Sequence, residues 1–150
     1  MLGRTGMTID FADTTGDQLR HAAHTYHLEL GWTTTVDGNQ LALELDDDLW
    51  GLRMPTALAV ELVAALRAMD FSCPVVDLAE PSVVLLEPVE VPVSTPRLPA
   101  AVGRLPSGCR VPLPPSVTGR GPVRWLTHEP DGGRRPSVRV VTDTLARLIP

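Results

Sequence analysis

The stretch Gly108–Leu126 limits the fold more than any other. It carries Pro112, Pro114 and Pro115 within four positions, and Gly119-Arg120-Gly121 just beyond. Each proline fixes φ and removes a backbone donor, so neither a helix nor a long central strand can run through it. The segment reads as a short strand, a proline-stiffened turn, a flexible Gly-Arg-Gly tip and a second strand ending on Trp125. The rest of the chain must supply elements that accommodate such a hairpin.

Before this stretch the periodicities are clear. Thr14, Thr15 and Asp17 offer a helix N-cap after a mobile lead-in over 1–14. Leu19, Ala22, Ala23, Tyr26 and Leu30 then form an apolar stripe that ends at Gly31. Thr33–Val36 is β-branched, Asp37-Gly38 marks a tight hairpin turn, and Leu41, Leu43 and Leu45 alternate on one strand face. Pro55 suits a first helical turn, with Leu58, Leu62, Leu66 and Met69 facing the core. Pro74–Leu78 and Ser82–Glu87 read as strands, the second central because it is apolar on both faces. Pro88, Pro92, Pro96 and Pro99 punctuate an extended connection, and Ala100–Leu105 reads as a short helical turn. Glu129–Pro136 is a loop, and helical spacing from about Ser137 closes the chain, although Val138–Val141 also suits a strand. The expected fold is α+β: residues 15–150 as a single domain, a mostly antiparallel sheet with helices packed on one face.

Charge is distributed unevenly. There is no lysine, and residues 1–96 carry fifteen acids against four arginines, whereas 97–150 carry nine arginines against three acids. The basic half either meets an anionic partner or is neutralised by the acidic half of the same chain. Cys73 and Cys109 lack metal or redox spacing and read as free thiols of a reducing compartment. No apolar run approaches the ~20 residues of a membrane span, and the N-terminus lacks a signal-like apolar core. The expectation is a cytoplasmic protein with no membrane partner. A lysine-free, arginine- and alanine-rich composition points to a GC-rich bacterial genome.

Val111-Pro112-Leu113-Pro114-Pro115-Ser116 and Gly121-Pro122-Val123-Arg124-Trp125-Leu126, with Tyr26…Gly31-Trp32 near the start, resemble the bifunctional primase-polymerase N-terminal domain family. There an apolar strand enters a Pro-Pro-Ser turn and a tryptophan strand follows. The resemblance implies a primase-polymerase-like α+β fold and, in active members, an acidic pair that holds Mg²⁺ or Mn²⁺. By element order, Asp46 and Asp48 fall near that pair. The family's histidine strand matches Ser82–Glu87, where Val83 and Val84 stand instead, and no Gly-Gly-x-His occurs. The resemblance therefore implies a shortened, degenerate member without polymerase activity.

The candidate residues keep two readings each. Asp46-Asp47-Asp48 is either a solvated turn or a metal site, with Glu87 or Glu90 as a third acid. His21, His24 and His27 fan around a helix rather than converge, and suit solvent or an interface shared with Leu28. Arg120, Arg124, Trp125, Arg134 and Arg135 form the nucleic-acid or nucleotide candidate, since arginine forks grip phosphate and tryptophan stacks on bases. Trp125 equally suits a strand core. No Walker loop, GxGxxG, GxSxG or HExxH is present. The expected function is a non-catalytic binding or regulatory module for nucleic acid, nucleotide or a protein partner. The alternatives are a metal-dependent nucleotidyltransferase using Asp46 and Asp48, and a pure protein-interaction module such as an accessory subunit or homodimer.

Overall fold

The computed structural model describes residues 3–88, 97–126 and 134–149, with the side chains of the first helix from residue 16 onward. Glu90, Pro92, Pro96 and most of the 129–136 loop lie outside these residues. The chain is α+β and its paired strands are all antiparallel. It forms two compact units: one from the chain up to Glu44 together with Arg110–Val123, the other from Leu45–Cys109 and from Arg124 onward.

In the first unit, α1 (Gly3–Leu30) lies against β1 (Thr34–Asp37) and β2 (Gln40–Glu44). The helix begins well before the expected cap at 14–17 and so takes in the stretch read as a lead-in. It ends at Gly31, whose φ of +71° suits glycine. Leu19 and Trp32 are buried, and Tyr26 packs at 5.9 Å from the Trp32 ring. The hairpin forms one residue later than an Asp37-Gly38 turn would place it: Asp37 pairs with Gln40 across Gly38-Asn39, with Gly38 at φ +60°. β7 (Arg110–Leu113) adds to the other side of β2, giving the order β1-β2-β7. Leu41, Leu43, Val111 and Leu113 fill one face of this sheet and are buried.

In the second unit a five-stranded sheet runs β10-β4-β5-β3-β6. Its strands are β3 (Trp50–Met54), β4 (Val75–Asp77), β5 (Ser82–Leu86), β6 (Gly103–Arg104) and β10 (Arg124–Trp125). As its two-sided apolarity predicts, β5 is central and buried throughout. Helices α2 (Thr56–Ala68) and α3 (Val138–Leu148) share one face. Ala59, Leu62, Leu66, Val138, Val141 and Leu145 pack there on Leu52, Met54, Val75, Val84 and Leu86. Pro55 is the residue before α2, and a carboxylate oxygen of Glu80 accepts the Thr56 N–H at 3.1 Å. Ser137 caps α3 by accepting the Val140 N–H at 3.2 Å, so the helical reading of Val138–Val141 holds.

Two expectations are corrected. Ala100–Leu105 is not helical; after a turn at 100–101 it supplies the short edge strand β6. The strands flanking the Gly-Arg-Gly tip do not pair with each other: β7 joins β2, and β10 joins β4. Prolines explain this. Pro112 has no N–H, and Pro114-Pro115 turns the chain out of the ladder before it can fold back. The hairpin that does form is smaller, β8 (Val117–Thr118) with β9 (Gly121–Pro122).

Candidate functional site

The Pro-Pro-Ser turn builds a platform for the Gly-Arg-Gly tip. Ser116 is fully buried. Its hydroxyl accepts the Leu41 N–H at 2.7 Å and donates to the Leu41 carbonyl at 3.1 Å. One side chain thus bonds both backbone groups of a buried β2 residue that also pairs with Leu113 of β7. The Ser116 backbone adds two bonds, from its N–H to the Leu113 carbonyl and from the Val123 N–H to its own carbonyl, both 2.9 Å. From α1, the Tyr26 hydroxyl donates to the Pro114 carbonyl at 2.7 Å. The Val117 N–H reaches the Asn39 carbonyl at 3.3 Å.

Arg120 stands on this platform at the exposed β8–β9 tip. The Thr118 hydroxyl accepts the Arg120 N–H at 3.2 Å and donates to the Gly121 carbonyl at 3.3 Å. Gly121 has φ +114°, a region that a side chain would make costly. The tip is short, internally bonded and rooted in a buried serine, which holds the arginine out on ordered backbone. Beside it, Thr35, Asp37, Asn39, Gln40, Ala42, Arg110, Pro112 and Val117 line an open depression of about 430 Å³ on the outer sheet face.

The other four candidates belong to the second unit. Arg124 is exposed and stands opposite half-buried Asp77, while Trp125 is half-buried opposite Val76. The Leu126 N–H continues the pairing to the Val75 carbonyl at 2.8 Å. Arg134 lies over the Phe71 ring at 4.5 Å, and its carbonyl accepts the Ser72 N–H at 2.7 Å. Arg135 donates to the Ser72 carbonyl at 3.3 Å. Both arginines therefore tie the segment before α3 to the segment before β4. The adjoining Cys73 thiol is buried, and burial pushes its pKa up to about 12 against the lowering effect of the Arg135 charge.

The five residues are thus divided between the two units: Arg120 stands on its tip in the first, and in the second Arg124 and Trp125 sit on an edge strand while Arg134 and Arg135 serve as anchors. Sequence reading missed a further arginine–aromatic contact, Arg104 over the Trp50 ring at 3.7 Å, which depends on β6 lying beside β3. Nothing local to either residue announces that pairing.

Asp46 and Asp48 lie in a tight exposed turn. Asp46 and Leu49 exchange backbone bonds, and an Asp46 carboxylate oxygen accepts the Asp48 N–H at 2.8 Å. Hard cations such as Mg²⁺ want several oxygens in a fixed shell. Among the described residues no group of three or more His, Cys, Asp or Glu side chains is placed to hold a metal ion. His21, His24 and His27 are all exposed on α1. No described helix is long and apolar enough to cross a membrane. No protein-family model, curated protein or solved structure matches this chain.

Proposed function

We propose that this chain is a non-catalytic binding module for an anionic ligand, single-stranded nucleic acid foremost, contacted through arginines of its C-terminal half. The observation that carries the reading is the Arg120 tip: an exposed arginine between two glycines, on a hairpin rooted in the buried Ser116. Loops that bind are commonly displayed in this way by a rigid scaffold. In the second unit, exposed Arg124 offers a phosphate-gripping fork of its own, while half-buried Trp125 beside it on β10 projects to the other face of the sheet. Arg134 and Arg135 contribute positive charge while holding the segment in place. A primase-polymerase-like ancestry agrees with this reading and rests on the sequence resemblance of 111–116 and 121–126.

The test is an anisotropy titration with a fluorescent single-stranded oligonucleotide at low salt. The expected result is binding that falls at least tenfold in an Arg120→Ala/Arg124→Ala variant whose melting temperature is unchanged. Equal binding by both proteins would move the contact elsewhere. A protein ligand in place of nucleic acid would leave the oligonucleotide unbound.

A further inference from the structure

The three-stranded sheet of the first unit has two edges, and they are built differently. β7 carries Pro112, and the pairing arithmetic shows which way that proline faces. The two-residue turn at Gly38-Asn39 closes on Asp37 and Gln40 as a hydrogen-bonded pair, so Gln40, Ala42 and Glu44 turn their backbone groups to β1. Leu41 and Leu43 then turn theirs towards β7, and Pro112, opposite Ala42, faces the outer edge of β7. That edge lacks a donor at its middle, as is usual where an edge is guarded against further pairing.

β1 has no such guard. By the same arithmetic Thr35 and Asp37 turn their backbone groups inward, and Thr34 and Val36 turn theirs outward. Thr34–Asp37 holds no proline, lysine or bulge, and Thr35, Val36 and Asp37 are exposed. Val36 is 37% exposed although it belongs to the sheet face that α1 covers. Among the described residues, no backbone hydrogen bond reaches Thr34 or Val36 from outside the hairpin.

We infer that β1 is a homodimerisation edge, on which a second copy of this chain adds its own β1 antiparallel about a two-fold axis at Thr35. The chemistry of the strand fits itself in this register. Thr34 and Val36 each exchange two hydrogen bonds with Val36 and Thr34 of the second copy, using the outward groups that β2 leaves unused. Thr35 meets its own counterpart on the axis as a non-hydrogen-bonded pair, an arrangement favourable for threonine. The polar groups are matched too: each Asp37 carboxylate faces a Thr33 hydroxyl, which can donate to it, and no two like charges oppose. Such a contact is isologous and closes at two copies, because the Pro112 edge stops further growth. One four-residue edge buries far less than the roughly 1,600 Å² of a standard stable interface, so the dimer is weak and reversible.

The test is sedimentation of the full chain across 5–500 μM, with Val36→Pro and Thr35→Cys variants. The mass is expected to rise towards twice the monomer in the unmodified chain and to stay monomeric in Val36→Pro, which deletes an outward N–H. Thr35→Cys is expected to cross-link as a dimer under mild oxidation, since cysteines at such a pair lie within disulfide reach. Asp37→Cys, whose counterpart is displaced, is expected not to. A monomer at every concentration with no Thr35→Cys cross-link overturns the inference, as does dimerisation that survives Val36→Pro. Should Val36→Pro fail to fold, the contrast between the two cysteine variants still decides.

Discussion

Replacing Ser116 with alanine removes one oxygen atom and the two hydrogen bonds it makes to the Leu41 backbone. Ser116 and Leu41 are both fully buried, and the hydroxyl serves the Leu41 N–H and carbonyl at 2.7 and 3.1 Å, beside the pairing of Leu41 with Leu113. A hydrogen bond contributes about 0.5–1.5 kcal/mol net. The cavity term for one missing atom is small, so the expected loss is about 1–3 kcal/mol, a large part of the ~5–15 kcal/mol that holds a typical domain folded. For a chain of this length that corresponds to a fall in Tm of about 2–12 °C. Urea and thermal melts measure the loss, and amide exchange at Leu41 localises it. Exchange should accelerate there and at Val123, whose N–H bonds the Ser116 carbonyl at 2.9 Å. A loss below about 0.5 kcal/mol with unchanged Leu41 protection would refute the claim that the Ser116 hydroxyl anchors Leu41.

Other predictions follow from packing and chemistry. A methyl group added at Gly51 would meet Leu45 Cδ1 at 2.8 Å, with Val83 Cγ1 and Leu105 Cδ1 at 3.2 and 3.3 Å, so Gly51→Ala should cost about 1–3 kcal/mol in a urea melt. Glu80→Ala removes the carboxylate that accepts the Thr56 N–H at the start of α2 and should cost about 1 kcal/mol, read the same way. With its pKa near 12, the Cys73 thiol is almost wholly protonated at pH 8. A thiol reagent should therefore modify half-buried Cys109 first and reach Cys73 only on unfolding. Rapid labelling of both in the native protein would contradict that placement.

Much of the fold is legible in the sequence where patterns are local. Asp37-Gly38 locates the β1–β2 hairpin to within one residue, the turn itself being Gly38-Asn39, and the alternation of Leu41, Leu43 and Leu45 buries all three. Apolar residues at every position from Val83 to Leu86 announce the central strand. β3 is an element the sequence reading misses: Trp50, Leu52 and Met54 alternate with Gly51 and Arg53, but a glycine in a five-residue run weakens the signal. What could not be read depends on distant pairing. That β7 joins β2 and β10 joins β4 follows from where the prolines send the chain, and no short-range rule states it. The same holds for the site. Gly-Arg-Gly shows the Arg120 tip directly, whereas the anchoring of Arg134 and Arg135 depends on Phe71 and Ser72, about sixty residues upstream.

The salt dependence of oligonucleotide binding tests the binding reading most directly. Log affinity against log salt should fall linearly, by about 0.7 for each phosphate neutralised on a single strand. The unmodified chain is expected to bind at low salt with a slope of about −1.4 or steeper. Arg120→Ala and Arg124→Ala are each expected to flatten it by about 0.7. An affinity indifferent to salt, a slope untouched by both substitutions, or no binding at low salt would contradict an anionic ligand held by these arginines.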